Sequence, residues 1–286
     1  MKIDINTKMI TLLGKPLGQS FAARMQNAGY EAAGLNMLYF YTEVDKDHLG
    51  DVVNGLRYMN FAGFAVTKPN KVRVLRYLDE LDPLCKKMGA SNTVGKTPEG
   101  KLIGYNTDGV GFYTALVEEG KINVEESTFF CFGAGGAGRA MCSVLAYHGA
   151  KKIYITDFYE PCAESLVMDI NENFAPVAEL VHHGDYAKIA ECNVVMNASG
   201  IGMGSTIGQT PMPVEHIQPG QFYFDACYNP DKTQFLLNAE EKGCQVLNGL
   251  GVSLYQGAAQ IELWTGEKAP VEAMRKELMD ILAESK

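Results

Sequence analysis

The chain has 286 residues, enough for one large or two medium domains. With 47% hydrophobic and 21% charged residues it can build a packed core, which excludes a disordered chain. The formal net charge of −9 argues against a nucleic-acid partner, which needs a basic face, but allows a few local cations to bind a small anionic substrate.

Short β-rich runs alternate with helical patterns, which predicts an α/β fold. In the opening MKIDINTKMITLLG, Lys2, Asp4 and Lys8 interrupt the apolar run that a signal peptide needs. MLYFYTEV (37–44) reads as a strand. Leu49, Val52, Val53 and Leu56 then follow an amphipathic helical spacing, with Asp45 placed as a cap. GFAVT (63–67) is a short apolar strand stopped by Lys68-Pro69, and Pro69 is suited to open a following helix. NTVGKTPEGKLIGYNTD (92–108) reads as a hairpin turning at Pro98-Glu99-Gly100, followed by a helix that stops at Gly120.

A second block begins with the buried strand STFFCFG (127–133). A glycine turn then feeds a helix over 133–149, and KKIYITD (151–157) is a strand ending in an acid. Residues 193–199, 221–228 and 244–249 are further strand candidates, and the last segment reads as two helices divided near Gly266 and Pro270. The expected layout is a substrate domain over 1–108, a dinucleotide-binding domain over 109–251 and closing helices over 252–286. No run approaches the roughly 18 apolar residues of a membrane span, so a cytoplasmic protein with no membrane partner is expected. The seven cysteines are odd in number and none stands at C-x-x-C spacing, which predicts reduced, mostly buried thiols. His182-His183 lies in a polar stretch without a matching cysteine pair, so a solvated loop is expected and no metal.

Gly133-x-Gly135-x-x-Gly138 follows a strand and opens a helix, the context that gives this fingerprint its meaning. The first glycine makes the tight turn, the second admits the pyrophosphate to the backbone, and the third lets helix and sheet pack closely. Gly133, Ala134, Gly135, Gly136, Ala137 and Gly138 are the expected phosphate loop, whose free amides meet the phosphate charge. Asp157 stands at the end of the next strand, where an acid accepts from ribose hydroxyls and repels a 2′-phosphate. Phe158, Tyr159 and Glu160 follow it with no arginine, so NAD is expected over NADP. A purely structural reading of Asp157, as the cap of the next turn, stands beside this one.

Gly14-Lys15-Pro16-Leu17, Gly63-Phe64-Ala65-Val66-Thr67-Lys68-Pro69-Asn70-Lys71, Gly89-Ala90-Ser91-Asn92-Thr93 and Gly104-Tyr105-Asn106-Thr107-Asp108 occur in that order ahead of the glycine loop. Asp225, Tyr228-Asn229-Pro230, Thr233, Gly249, Gly251 and Gln256-Gly257-Ala258 follow it. This array resembles the shikimate/quinate dehydrogenase family over nearly the whole chain. The resemblance implies an enzyme that moves a hydride between a nicotinamide and a secondary alcohol of a cyclic polyhydroxy acid. It implies closing helices that return to the first domain. It implies Lys71 and Asp108 as the reacting pair, and Lys71 suits the exchange of a proton with the alcohol oxygen. Ser20, Thr67, Asn92 and Gln256 would bind substrate, with Asn197, Tyr228 and Gly249 on the cofactor side, in a monomer or homodimer. Taken singly, Lys71 also reads as a solvated lysine, Asp108 as a helix cap and Asn92 as a turn residue.

The sequence departs from the family around the substrate. The family's paired serines reduce to Ser20, with Ala22 in the second place and Ala23 for the following proline. Gln19 and Gln26 stand where the family often has histidine, and Ala65 replaces an asparagine. Each change removes or alters a polar group. A lost hydrogen bond to a charged group weakens binding by about ten- to a hundredfold. A different hydroxy- or oxo-substrate, or a nicotinamide-binding regulatory module without activity, are the alternative readings.

Overall fold

The computed structural model describes residues 3–18 and 20–284. In chain order the first elements are β1 (Lys8–Gly14), α1 (Ala22–Ala32), β2 (Met37–Glu43), α2 (Leu49–Tyr58), β3 (Phe61–Val66) and β4 (Glu80–Leu81). They continue with α3 (Pro83–Met88), β5 (Thr93–Lys96), β6 (Leu102–Tyr105) and α4 (Thr107–Glu118). Then come β7 (Thr128–Phe132), α5 (Gly136–Tyr147), β8 (Lys152–Thr156), α6 (Glu160–Asn173), β9 (Ala178–Leu180), β10 (Val194–Asn197), β11 (Phe222–Asp225), α7 (Gln234–Glu241) and β12 (Gln245–Leu247). The chain closes with α8 (Leu250–Thr265) and α9 (Val271–Glu284).

These form two compact units, Met1–Gly111 with Leu254–Lys286 and Phe112–Ser253. The chain leaves the first unit within α4 and returns to it within α8. The first unit holds a mixed sheet in the order β2-β1-β3-β5-β6-β4. β1, β2 and β3 run parallel, while β5 and β6 form an antiparallel hairpin beside β3. One face packs Leu13, Phe64, Val66 and Val94 onto Leu49 and Val53 of α2. The opposite face of β3 carries Gly63, where any side chain would collide with the indole of Trp264 on α8. α9 lies along α1, and Arg24 pairs with Glu277 at 2.8 Å and with Glu284 at 2.5 Å.

The second unit is an all-parallel sheet in the order β9-β8-β7-β10-β11-β12, the doubly wound arrangement of dinucleotide-binding folds. Its strands are apolar almost throughout because both faces are covered. Phe130, Phe132, Val195, Tyr223 and Phe235 form the heart of one face.

β1 and α1 carry no clear sequence signal. β1 lies inside the sheet and is buried continuously from Ile10 to Gly14, so it lacks alternation. The buried positions of α1 are Met25, Gln26, Gly29 and Tyr30, so half of its inner stripe is not hydrophobic. Two expectations need correction. Pro69 opens no α-helix: Asn70 N donates to Thr67 O, and Asn70 Nδ2 donates to Val44 O, which tethers the turn to the end of β2. Only a short 3-10 turn, Arg73–Tyr77, follows. Asp45 does not cap α2 from the N-cap position, which belongs to His48; its Oδ1 accepts from Asp47 N and His48 N in a preceding turn. Six of the seven cysteines are buried and Cys162 is half-buried, all as free thiols.

Candidate active site

Lys71 sits in the turn after β3, its carbonyl held by Ser91 N at 2.9 Å. Asp108 lies in the first turn of α4, where the exposed amides and helix dipole favour a carboxylate. Asn106 performs the capping here: its Oδ1 accepts from Gly109 N at 3.3 Å, and its Nδ2 donates to Ala90 O at 2.9 Å. Asp108 is thereby released from that role. Lys71 Nζ donates to Asp108 Oδ2 at 2.7 Å, and the two side chains remain 31% and 33% exposed. A half-exposed pair of this kind contributes little to stability. It leaves the remaining ammonium donors open to an incoming oxygen.

Asn92 controls the second carboxylate oxygen. Its Nδ2 donates to Asp108 Oδ1 and to Thr107 Oγ1, both at 2.9 Å, and its Oδ1 accepts from Thr107 N at 2.7 Å. With both amide protons engaged and 3% exposure, Asn92 holds Asp108 and Thr107 in place. Gln256 joins the cluster from α8, donating to Thr107 Oγ1 at 3.1 Å. Thr93 and Gln260 extend it, with Gln260 Nε2 donating to Thr93 Oγ1 at 2.8 Å. Sequence reasoning passed over Thr93, Thr107 and Gln260 as site residues. The signal was that Gln256 and Gln260 stand at i and i+4, on one helix face.

Ser20 and Thr67 make no hydrogen bond to this cluster. Thr67 N donates to Leu13 O at 2.8 Å. Ser20 O accepts from Tyr41 Oη at 2.5 Å, and Tyr41 Oη in turn accepts from Ala23 N at 3.0 Å. Ser20 Oγ accepts weakly from Ala22 N at 3.4 Å. Ala22 opens α1 half-buried, whereas Ala65 is 2% exposed within β3. Gln19 lies outside the described residues.

In the second unit the glycine loop has the shape that a pyrophosphate needs. Gly133 has φ +100°, and a side chain on Gly138 would collide with Gly133 O, so helix and turn are in close contact. Side chains on Gly135 or Gly136 would meet nothing, and α5 starts with no side-chain cap on its amides. Ala134 is buried and Ala137 exposed. Asn197 is fully buried, with its Nδ2 donating to Ile201 O and both oxygens of Asp225, and its Oδ1 accepting from Ser199. Gly249 N donates to Cys227 O, and a side chain there would strike Ala226 O. Tyr228 is half-buried, and burial raises its phenol above the ordinary value. Among the described residues no group of three or more His, Cys, Asp or Glu is placed to hold a metal, and no helix is long and apolar enough to cross a membrane.

Residues 12–94 match the model of the shikimate dehydrogenase substrate binding domain, and residues 249–279 that of the shikimate 5′-dehydrogenase C-terminal domain. A relative from Desulforamulus reducens named shikimate dehydrogenase (NADP(+)) is 39% identical, over 97% of this chain and 96% of its own. The chain belongs to the shikimate dehydrogenase family. Shikimate 5-dehydrogenase from Listeria monocytogenes, solved with shikimate and NAD, is 37% identical with a TM-score of 0.92, covering 97% of this chain and 98% of that one. Quinate dehydrogenase from Corynebacterium glutamicum, solved with NAD, is 27% identical with a TM-score of 0.88, covering 96% and 99%. As a shikimate dehydrogenase family member, the protein is an NAD(P)-linked oxidoreductase of shikimate- or quinate-type substrates.

The family's names correct one expectation. The curated shikimate dehydrogenases that match are named for NADP(+), which overturns the preference for NAD read from Asp157. The structure supplies the physical reason why that acid was a poor guide. Asp157 Oδ2 accepts from Ala134 N at 2.6 Å and its Oδ1 from Tyr159 N at 2.8 Å. The carboxylate is engaged in fixing the glycine loop and the turn after β8, so its presence does not report a ribose contact. The loop that follows it is flanked by His183, whose ring meets Phe158 edge-on, and by His182 beside Glu160.

Proposed function

We propose that the protein interconverts a ring alcohol and a ring ketone of a shikimate- or quinate-type acid with NADP, Lys71 and Asp108 handling the proton. The observation that carries this reading is the 2.7 Å Lys71–Asp108 contact, half-exposed, on a carboxylate whose other oxygen is already fixed by Asn92. When bound, the nicotinamide accepts or returns the hydride. In the ketone-to-alcohol direction the Lys71 ammonium would hold the carbonyl oxygen and give it a proton as the C–H bond forms. In the reverse direction the neutral Lys71 amine would take the proton from the alcohol as the C–H and O–H bonds break. Asp108 directs Lys71 and offers an acceptor to a neighbouring substrate hydroxyl.

Gln256, Thr67 and Ser20 are assigned to the remaining polar groups of the ring, and Asn92 acts by holding Asp108. The phosphate loop from Gly133 to Gly138 takes the pyrophosphate on the uncapped amides at the start of α5, the Gly133 and Ala134 amides being already engaged by Thr156 O and Asp157. Tyr228 and Gly249 are assigned to the nicotinamide side. Asn197 braces that strand end through Asp225. His183, packed edge-on against Phe158, and His182, held beside Glu160, flank the loop assigned to a 2′-phosphate.

The test is initial-rate absorbance of the reduced nicotinamide, with NADP and NAD each offered against shikimate and quinate. Turnover is expected with NADP and shikimate. No turnover with any of the four pairs, from folded protein that still binds the dinucleotide, would sink the reading.

A further inference from the structure

We propose that Gln26 and Gln260 are positioning residues for the Lys71–Asp108 pair, acting through a one-way hydrogen-bond chain that ends on the Asp108 carboxylate. The proposal rests on the reading of that pair given above. The direction of the chain follows from groups that can only donate or only accept. Gln26 Nε2 lies 3.1 Å from Gly257 O, an obligatory acceptor, which fixes the orientation of this amide. The same nitrogen donates to Gln260 Oε1 at 3.0 Å, so Gln260 must present its nitrogen to Thr93 Oγ1 at 2.8 Å. Thr93 Oγ1 then donates to Asn92 Oδ1 at 3.1 Å. At the far end Asn92 is fixed independently, because its Oδ1 faces the Thr107 amide and its Nδ2 faces Asp108. A side branch enters through Gln256, whose donation to Thr107 Oγ1 leaves that hydroxyl free to donate to Thr93.

Every link from Gln26 to Asn92 is buried, with exposures between 0% and 3%. Hydrogen bonds aligned head to tail out of water polarise one another. The consequence is geometric as well. A carboxylate rotates over a broad torsional well, and Asn92 holds Asp108 Oδ1 more firmly when Thr93 Oγ1 joins Thr107 N on its own Oδ1. Gln26 is also a poor choice for packing alone, since its buried Oε1 has no protein partner. The strand register places the apolar Ala65 opposite Thr93, so β3 brings no polar side chain from that position to the face where Gln260 arrives. Gln26 and Gln260 supply the donors from α1 and α8 instead.

Thr93→Val keeps the shape of a strand residue and removes the central hydroxyl, while Gln26→Leu and Gln260→Leu remove the outer links. Steady-state rates should show kcat falling by about three- to tenfold in each, the range of one ordinary hydrogen bond, with substrate KM moving by less than about twofold. The deuterium isotope effect on kcat, read with substrate labelled at the carbon that releases hydride, should rise, and Thr93→Ser should restore both readouts. Should a glutamine variant fail to fold, Thr93→Val and Thr93→Ser decide alone. Parental kcat and isotope effect in folded Thr93→Val, with only a lowered Tm, would overturn the proposal and leave the chain a structural feature. Parental turnover in Lys71→Met would instead show that the reading of the pair is wrong.

Discussion

Asp108 and Asp225 are both fed by neutral donors, one in each unit, yet they end in opposite situations. Asp225 closes β11 with no exposure and accepts from Asn197 Nδ2, Thr233 Oγ1 at 2.6 Å and Cys227 N at 2.9 Å. Burial raises its carboxyl above the ordinary range, opposed by those hydrogen bonds, and burial together with the nearby acid pushes the Cys227 thiol up to about 12. Asp108 keeps a third of its side chain exposed and faces an ammonium. Its neutral donor, Asn92, aims it instead of enclosing it. Residue type does not separate an enclosed carboxylate from an accessible one. Access to solvent and an adjacent ammonium do.

Breaking the reactive side should give the largest effect. Lys71→Met is expected to lower kcat/KM by about a hundred- to ten-thousandfold, with dinucleotide binding by fluorescence titration unchanged. Retained turnover would place the chemistry elsewhere. On the structural side, Asp225→Ala leaves Asn197, Thr233 and the Cys227 amide without their acceptor. It should destabilise the second unit by about 3 kcal/mol, read as a fall in the urea midpoint. An unchanged midpoint would mean that this cluster holds nothing together.

A subtler test uses pH. A carboxyl raised in the folded state contributes stability that is present below its unfolded value of 3.8 and is lost as pH rises through the higher folded value. The stability of the parent relative to Asp225→Asn should therefore decline with rising pH through that window and then level off. A flat or rising difference in urea midpoints would remove the claim that burial dominates at Asp225. The smallest effect concerns the edge of the substrate unit. Ala22→Ser restores a hydroxyl beside Ser20 and should lower KM for shikimate by about threefold, one modest hydrogen bond. No change would show that this position does not reach the ring acid.

Much of this molecule was readable before folding was considered. The strand from Met37, the hairpin through Gly100 and the glycine turn at Gly133 all announce themselves through local period and turn chemistry. β1 and α1 did not, because an inner strand does not alternate and the buried stripe of α1 includes Gln26 and Gly29. At the site, motif order pointed to Lys71 and Asp108, while Asp157 misled because an acid at a strand end has two uses and the sequence does not say which.

The sequence alone determined the α/β class and the dinucleotide-binding second unit, because local period and the glycine turn encode both, while Lys71 and Asp108 followed from the family resemblance of the motifs that carry them. Tertiary structure decided which polar side chains were already engaged. Gln26 meets Gln260 across 234 positions, Asn92 reaches Asp108 across 16, and Asn197 reaches Asp225 across 28. Such pairings arise when helices and strands pack and exclude water, and no local period records them.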